Sequence, residues 1–124
     1  MMIKECAHCK NQVLVLNDSG VPMVCRGEPM KEVQAGVTDG AHEKHVPFVT
    51  VNGNIMEVVV GEVEHPMTEP HYITWIAVEQ GNKVQLVHLL PSDEPKAVFT
   101  VDPKLDYTVY EYCNLHGLWK TSSK

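Results

Sequence analysis

Four histidines and one cysteine stand in settings that could form a metal site. Cys113 and His116 lie three positions apart late in the chain, and the other histidines, His45, His65 and His71, each lie within two residues of a proline. Four imidazoles and one thiolate make a soft, nitrogen-rich donor set. Such a set suits iron, copper or zinc and does not suit calcium or magnesium, because those two ions prefer oxygen ligands. The sequence therefore predicts a transition-metal site, provided that these five side chains converge in space.

The elements that must position these residues are predicted to be β-strands. From about Val37 onward, short runs of β-branched and aromatic residues alternate with turn signals, of which Asn52-Gly53-Asn54 is a strong hairpin turn. The predicted strands cover residues 48–51, 55–60, 71–79, 83–90, 97–101 and 107–112. Short strands divided in this way are typical of an all-β sandwich or barrel.

The first part of the chain is predicted to be a separate small unit, residues 1–36, followed by a main domain over residues 37–124. This first unit contains Cys6, Cys9 and Cys25. Residues 13–16 and 21–24 are predicted to pair as a hairpin. Because so short a segment can hardly bury a core of its own, it requires a metal or a docking partner.

Composition excludes several classes of function. The formal net charge of −6 argues against a nucleic-acid partner, which needs a basic surface. There is no apolar run long enough for a membrane span and no secretory signal pattern at the start, so we expect a cytoplasmic protein. In that compartment four cysteines are metal ligands or free thiols more often than disulfides.

Residues 43–120 resemble the iron domain of the superoxide reductases, the desulfoferrodoxin and neelaredoxin family. Three segments match in the family's order and with similar spacing: Glu43-Lys44-His45-Val46-Pro47, then His65-Pro66-Met67 with His71-Tyr72-Ile73, and finally Glu111-Tyr112-Cys113-Asn114-Leu115-His116-Gly117 with Trp119-Lys120. The resemblance implies an all-β fold, a seven-stranded immunoglobulin-like β-sandwich with a small N-terminal desulforedoxin-like β unit. It also implies a homodimer or homotetramer.

The same resemblance implies a mononuclear iron with four equatorial imidazoles, one axial thiolate and an open sixth position, where superoxide accepts one electron and leaves as hydrogen peroxide. The implied ligands are His45, His65, His71, His116 and Cys113. Lys44 would attract superoxide, and Glu43 would occupy the sixth position of the ferric ion after the product leaves. A rubredoxin-like external donor would supply the electrons.

The resemblance reaches the N-terminal unit with a defect. Many relatives hold a second iron there with a Cys-x-x-Cys pair and a later adjacent Cys-Cys pair. Here Cys6 and Cys9 form the first pair and Cys25 is half of the second, but Arg26 stands where the fourth thiolate belongs. Three thiolates beside a guanidinium make a poor tetrahedral iron site, so the second iron is predicted to be absent or labile.

Three other functions compete with this interpretation. A cupredoxin-like electron carrier would also use a β-sandwich, a late cysteine and histidines, but it needs two histidines rather than four, and a methionine after the cysteine. An immunoglobulin-like binding module with structural zinc would have a closed four-ligand shell and no colour. Superoxide dismutation would differ from reduction in the ratio of peroxide formed to superoxide consumed.

Overall fold

The computed structural model describes residues 1–36, 45–61 and 65–123, and the regular elements of these ranges are twelve β-strands. The chain divides into two compact units, residues 1–34 and 35–124. The boundary expected after residue 36 stays a prediction. Within the described ranges, no helix has the length and apolar character that a membrane span requires.

The larger unit consists of two antiparallel sheets packed face to face. In the first sheet, the spatial order is β10-β7-β6, with β6 at Pro47–Asn52, β7 at Ile55–Val60 and β10 at Lys96–Thr100. In the second, the order is β12-β11-β8-β9, with β8 at Ile73–Gln80, β9 at Lys83–His88, β11 at Thr108–Cys113 and β12 at Gly117–Ser122. The predicted all-β, seven-stranded sandwich is confirmed.

The core lies between the two sheets and follows the alternation of the strands. Every second residue of β7 is fully buried, namely Met56, Val58 and Val60, while the residues between them face outward. The opposing sheet contributes Ile76 and Val78 from β8, together with residues of β11, to the same apolar cluster. Burial of this cluster fixes the register of both sheets, because a slip of one residue would turn the apolar side chains to solvent.

Two-residue turns close both long hairpins. Asn52 pairs with Ile55, and Gln80 pairs with Lys83, so the loops are Gly53-Asn54 and Gly81-Asn82. In each loop the glycine is first and has positive φ, 62° and 55° respectively, as type II′ turns require. The hairpin turn predicted at Asn52-Gly53-Asn54 is therefore confirmed.

The pattern of the sequence predicted six of the seven sandwich strands and missed β12. Leu118 and Trp119 are buried in succession, so this segment lacks the apolar–polar alternation of a half-buried strand. The strand begins at Gly117, which has a φ of 81° and pairs with Cys113 across a three-residue loop. The seventh strand was expected from the family resemblance alone.

The smaller unit has five short strands, and its predicted hairpin is wrong. β1 (Ile3–Glu5) pairs with β2 (Gln12–Leu14) and with β5 (Lys31–Glu32), whereas β3 (Val24–Cys25) pairs with β4 (Glu28–Pro29). Residues 13–16 and 21–24 therefore belong to different pairs. The chain reverses at two other places. One reversal lies between Cys6 and Asn11, where the N–H of Cys6 donates to the carbonyl of Asn11, and the other lies at Arg26 and Gly27, which both have positive φ.

Candidate metal centre

Four imidazole rings form a closed square in the larger unit. Going round the square, the ring centroids of His45 and His65 are 4.6 Å apart, those of His65 and His71 are 4.7 Å apart, those of His71 and His116 are 5.0 Å apart, and those of His116 and His45 are 4.8 Å apart. Adjacent rings are steeply inclined, by 73°, 80°, 80° and 84° in the same order. The opposite pair, His45 and His71, is 6.4 Å apart. The structure thus brings together all four histidines singled out by the sequence.

The ring nitrogens point toward a common centre. His45 Nε2 lies 3.1 Å from His65 Nε2 and 3.1 Å from His116 Nδ1. Two nitrogens bound at right angles to a metal with bonds of about 2.1 Å are about 3 Å apart. One ligand atom from each of His45, His65, His71 and Cys113 lies within 4.8 Å of all the others. His116 Nδ1 joins these four through its contacts with His45 Nε2 and Cys113 Sγ. The resulting five donors fit a single metal ion, and they exceed the four that a closed structural zinc shell takes.

The His65 ring is fixed in the form that binds metal. Its Nδ1–H donates to the Pro66 carbonyl oxygen at 2.7 Å, because a carbonyl can only accept. A neutral ring then has its lone pair on Nε2, the atom that faces His45. Burial lowers the pKa of His65 to about 4. The imidazole is therefore neutral and available as a ligand at neutral pH.

Cys113 is fully buried at the end of β11, with its Sγ 3.9 Å from His116 Nδ1. Burial raises the pKa of the Cys113 thiol, and hydrogen bonds from the backbone N–H groups of His116 and Leu115 partly oppose that rise. A buried thiol of this kind ionises when a cation lies beside it. The site is therefore suited to form its thiolate when metal binds.

Strand ends and the loops beside them position all five residues. His45 lies two residues before β6, and His65 and His71 lie in the connection from β7 to β8. Cys113 ends β11, and His116 is the last residue of the loop before β12. Tyr112 pairs with Trp75, but Cys113 pairs with Ile73. This irregularity leaves Thr74 as one extra residue in β8, three positions after His71, and such bulges commonly redirect side chains beside functional sites.

Two residues that sequence reasoning had quoted only as parts of motifs hold the square in place. The Asn114 side chain accepts a hydrogen bond from the N–H of Tyr72 at 2.9 Å and donates to the carbonyl of Pro70 at 3.2 Å, so it binds both neighbours of His71. Trp119 stacks on His45 at 5.0 Å and 20°, and its indole N–H donates to the His116 carbonyl at 3.0 Å. Two features of the sequence could have indicated these roles: Asn114 is a polar residue inside the Cys-x-x-His loop, and Trp119 is an aromatic residue just after it.

Glu111 is a buried acid next to the centre that sequence reasoning also missed. It is fully buried two residues before Cys113, and because side chains alternate along a strand, both face the same side of β11. Neither carboxyl oxygen has a hydrogen-bond partner among the described residues. Burial raises the pKa of Glu111 well above its usual range. The side chain is thus a neutral carboxylic acid under conditions where an exposed glutamate is ionised.

We expect Glu111→Gln to become more stable relative to the wild type as pH rises. The folded chain keeps a proton on Glu111 that the unfolded chain loses above its ordinary pKa of 4.5. The contribution of Glu111 to stability therefore falls as pH rises from that value toward the raised folded pKa. As pH rises, the free energy of unfolding of the variant, taken relative to that of the wild type, should increase by up to about 1.4 kcal/mol per pH unit.

Urea unfolding of the two metal-free proteins at about pH 5.5 and about pH 7.5 measures this shift. The histidines titrate in both proteins, so their contribution cancels in the difference. A difference that does not change with pH would show that Glu111 is not a buried neutral acid.

Glu43 and Lys44, the predicted catalytic residues, lie outside the described residues, so their positions remain predictions.

A second cluster occurs in the smaller unit, where the sulfur atoms of Cys6, Cys9 and Cys25 all lie within 4.8 Å of one another. The backbone N–H of Cys9, which donates to Cys6 Sγ, lowers the pKa of Cys6 to about 6. No fourth cysteine, histidine or carboxylate joins the three within the described residues. His8 Nε2 instead contacts Glu28 Oε1 at 2.8 Å. The prediction of an incomplete second iron site is confirmed.

Comparison with known proteins identifies the family. A protein-family model described as desulfoferrodoxin matches residues 37–122. The chain belongs to the desulfoferrodoxin family. It is 46% identical over 122 residues to the desulfoferrodoxin of Nitratidesulfovibrio vulgaris, covering 98% of this chain and 95% of that protein. It is 47% identical over 108 residues to the desulfoferrodoxin of Clostridium acetobutylicum, covering 87% and 85% respectively.

A solved structure extends the family relation to the whole fold. The superoxide reductase from Treponema pallidum matches with a TM-score of 0.77 and 32% identity, over 96% of this chain and 98% of that chain. The predicted family and the immunoglobulin-like sandwich with a desulforedoxin-like unit are confirmed. The comparisons give no support to the cupredoxin-like carrier.

Proposed function

We propose that this member of the desulfoferrodoxin family is a superoxide reductase, which reduces superoxide by one electron to hydrogen peroxide and draws that electron from an external donor. The observation that carries the proposal is the closed square of four imidazoles with the buried sulfur of Cys113 beside it. The similarity to a solved protein described as a superoxide reductase supports it.

The residues that would hold the iron are the five that converge: His45, His65, His71, His116 and Cys113. When bound, mononuclear iron cycling between its ferrous and ferric states supplies the one-electron chemistry. Neutral imidazoles leave the ferric charge poorly compensated, which favours a fairly high reduction potential. The Cys113 thiolate would be the one anionic donor to that iron.

The burial of the donors suggests the direction from which superoxide arrives. His45, His65 and Cys113 are buried, whereas His71 and His116 are only partly buried. Superoxide and the two protons needed to form hydrogen peroxide then reach the square past the edges of these two rings. Trp119 and Asn114 keep the rings in place while the substrate enters, so little reorganisation is required.

Lys44 and Glu43 complete the proposed mechanism. A net charge of −6 repels superoxide, so a local positive charge is needed beside the site. Lys44, the immediate neighbour of His45 in sequence, provides this charge and stabilises the negative charge that develops on the substrate. The Glu43 carboxylate takes the place of the substrate between turnovers.

We expect the reduced, iron-loaded protein to form equal amounts of hydrogen peroxide and ferric protein for each superoxide consumed. Pulse radiolysis under anaerobic conditions generates superoxide, and peroxide is then assayed directly. Dismutation would give half as much peroxide per superoxide and would continue without an electron donor. That result, or an absence of reaction with superoxide, would contradict the proposed function.

We expect Lys44→Ala to slow the reaction with superoxide about tenfold at low ionic strength and to flatten its dependence on salt. Stopped-flow or pulse-radiolysis rates measured over a range of salt concentrations test this. Lys83→Ala is the matched control, because it changes the net charge equally at the β8–β9 turn. Equal rates and equal salt profiles in the two variants would remove Lys44 from the mechanism.

The resemblance to the family supports a proposal for the partners and the setting of the protein. We propose that a rubredoxin-like carrier is the electron donor and that the protein acts in the cytoplasm as a homodimer or homotetramer, without nucleic-acid or membrane partners.

A further inference from the structure

The three-cysteine cluster of the smaller unit has a use that does not require a fourth thiolate. We infer that Cys6, Cys9 and Cys25 form a binding site for a soft cation that accepts three sulfur ligands, of the Cu(I) class. The inference does not depend on the proposed reaction at the larger unit.

The spacing of the sulfurs fits one shared ion. Cys9 Sγ and Cys25 Sγ are 3.6 Å apart, and all three sulfurs are within 4.8 Å of one another. Sulfurs bound to one metal through bonds of about 2.3 Å lie about 4 Å apart. Only small side-chain adjustments are then needed to place an ion between them.

The backbone already has the tight turns that such a site requires. The N–H of Cys9 donates to Cys6 Sγ at 3.5 Å, and the N–H of Lys10 donates to the Cys6 carbonyl at 3.0 Å. Lys10 and Arg26, which follow the second and third cysteines, both have positive φ, at 66° and 54°. This left-handed backbone conformation turns the chain sharply after Cys9 and after Cys25. The cluster is therefore preorganised.

The number of ligands selects the class of ion. Iron and zinc bound by thiolates take four ligands in a tetrahedral arrangement, and the described residues 1–36 supply three. His8 lies inside the first turn, but its Nε2 is engaged with Glu28. Thiolates are the preferred ligands of Cu(I), and three sulfurs complete its shell.

The test titrates Cu(I) anaerobically into the reduced, iron-loaded full chain in competition with a chromogenic Cu(I) chelator. Iron in the larger unit occupies Cys113, so that thiol does not compete. We expect one equivalent of Cu(I) to be taken from the chelator, and X-ray absorption at the copper edge to report three sulfur neighbours. The iron content of the protein should not change.

Variants separate this site from adventitious binding to thiols. Cys25→Ser should weaken Cu(I) binding by at least about 100-fold, since even the loss of an outer-shell contact costs a metal site 10- to 100-fold. Cys9→Ser should have the same effect, whereas His8→Ala should bind as the wild type does. Equal affinity of Cys25→Ser and wild type, a nitrogen ligand in the absorption spectrum, or failure of the wild type to compete with the chelator would each overturn the inference.

Discussion

Cys113→Ser is expected to abolish the visible colour of the oxidised protein and to lower its rate with superoxide more than tenfold. The colour of a ferric thiolate arises from charge transfer from sulfur to iron, and a serine oxygen does not provide it. The rate falls because the thiolate is the single anionic donor in an otherwise neutral set. Loss of even an outer-shell contact costs a metal site about 10- to 100-fold in affinity or activity. Visible spectra of the iron-loaded variant, together with pulse-radiolysis rates, measure both effects.

The fold should survive this substitution, because serine is close to cysteine in size and the four imidazoles of the square remain. Cys9→Ser is the matched control, since it makes the same chemical change at an exposed thiol of the smaller unit. It should leave the visible spectrum and the rate as they are in the wild type. A Cys113→Ser protein with the native spectrum would show that Cys113 is not a ligand, and the proposed centre would then have to be abandoned.

Arg26→Cys is expected to restore the missing iron site of the smaller unit. A fourth thiolate next to Cys25 would complete a tetrahedral set with the three sulfurs already gathered there. The backbone at Arg26 already holds a residue with a side chain at a φ of 54°, so cysteine introduces no new strain. The iron content should rise from about one to about two per chain, and the oxidised protein should gain the red colour of an iron tetrathiolate.

Arg26→Ser is the control that distinguishes the effect of gaining a thiolate from the effect of losing the guanidinium. It removes the same positive charge but provides no sulfur, so its iron content should equal that of the wild type. Equal iron content in the serine and cysteine variants would show that the absent thiolate is not what keeps iron out of this unit.

Short local motifs were enough to single out the five residues that converge in the larger unit and to predict most of the sandwich strands. Gly53 and Gly81 begin turns that depend only on adjacent residues, and the alternation in β7 reports directly which of its faces is buried. Each histidine motif is likewise a few residues long, and the order of the motifs predicted the family. These features are encoded locally, and local sequence is sufficient to recognise them.

Tertiary structure alone decided how the donors meet and what surrounds them. His45 and His116 are 71 positions apart, and their 3.1 Å contact exists only because both sheets have folded. The neutral state of Glu111 likewise arises from burial, since nothing in its immediate sequence changes its pKa. In the smaller unit, the chain turns at Cys6 and Arg26, and the two segments of the predicted hairpin do not pair with each other. Contacts between distant segments follow from the packing of the whole domain, and the local patterns used for strand prediction do not contain that information.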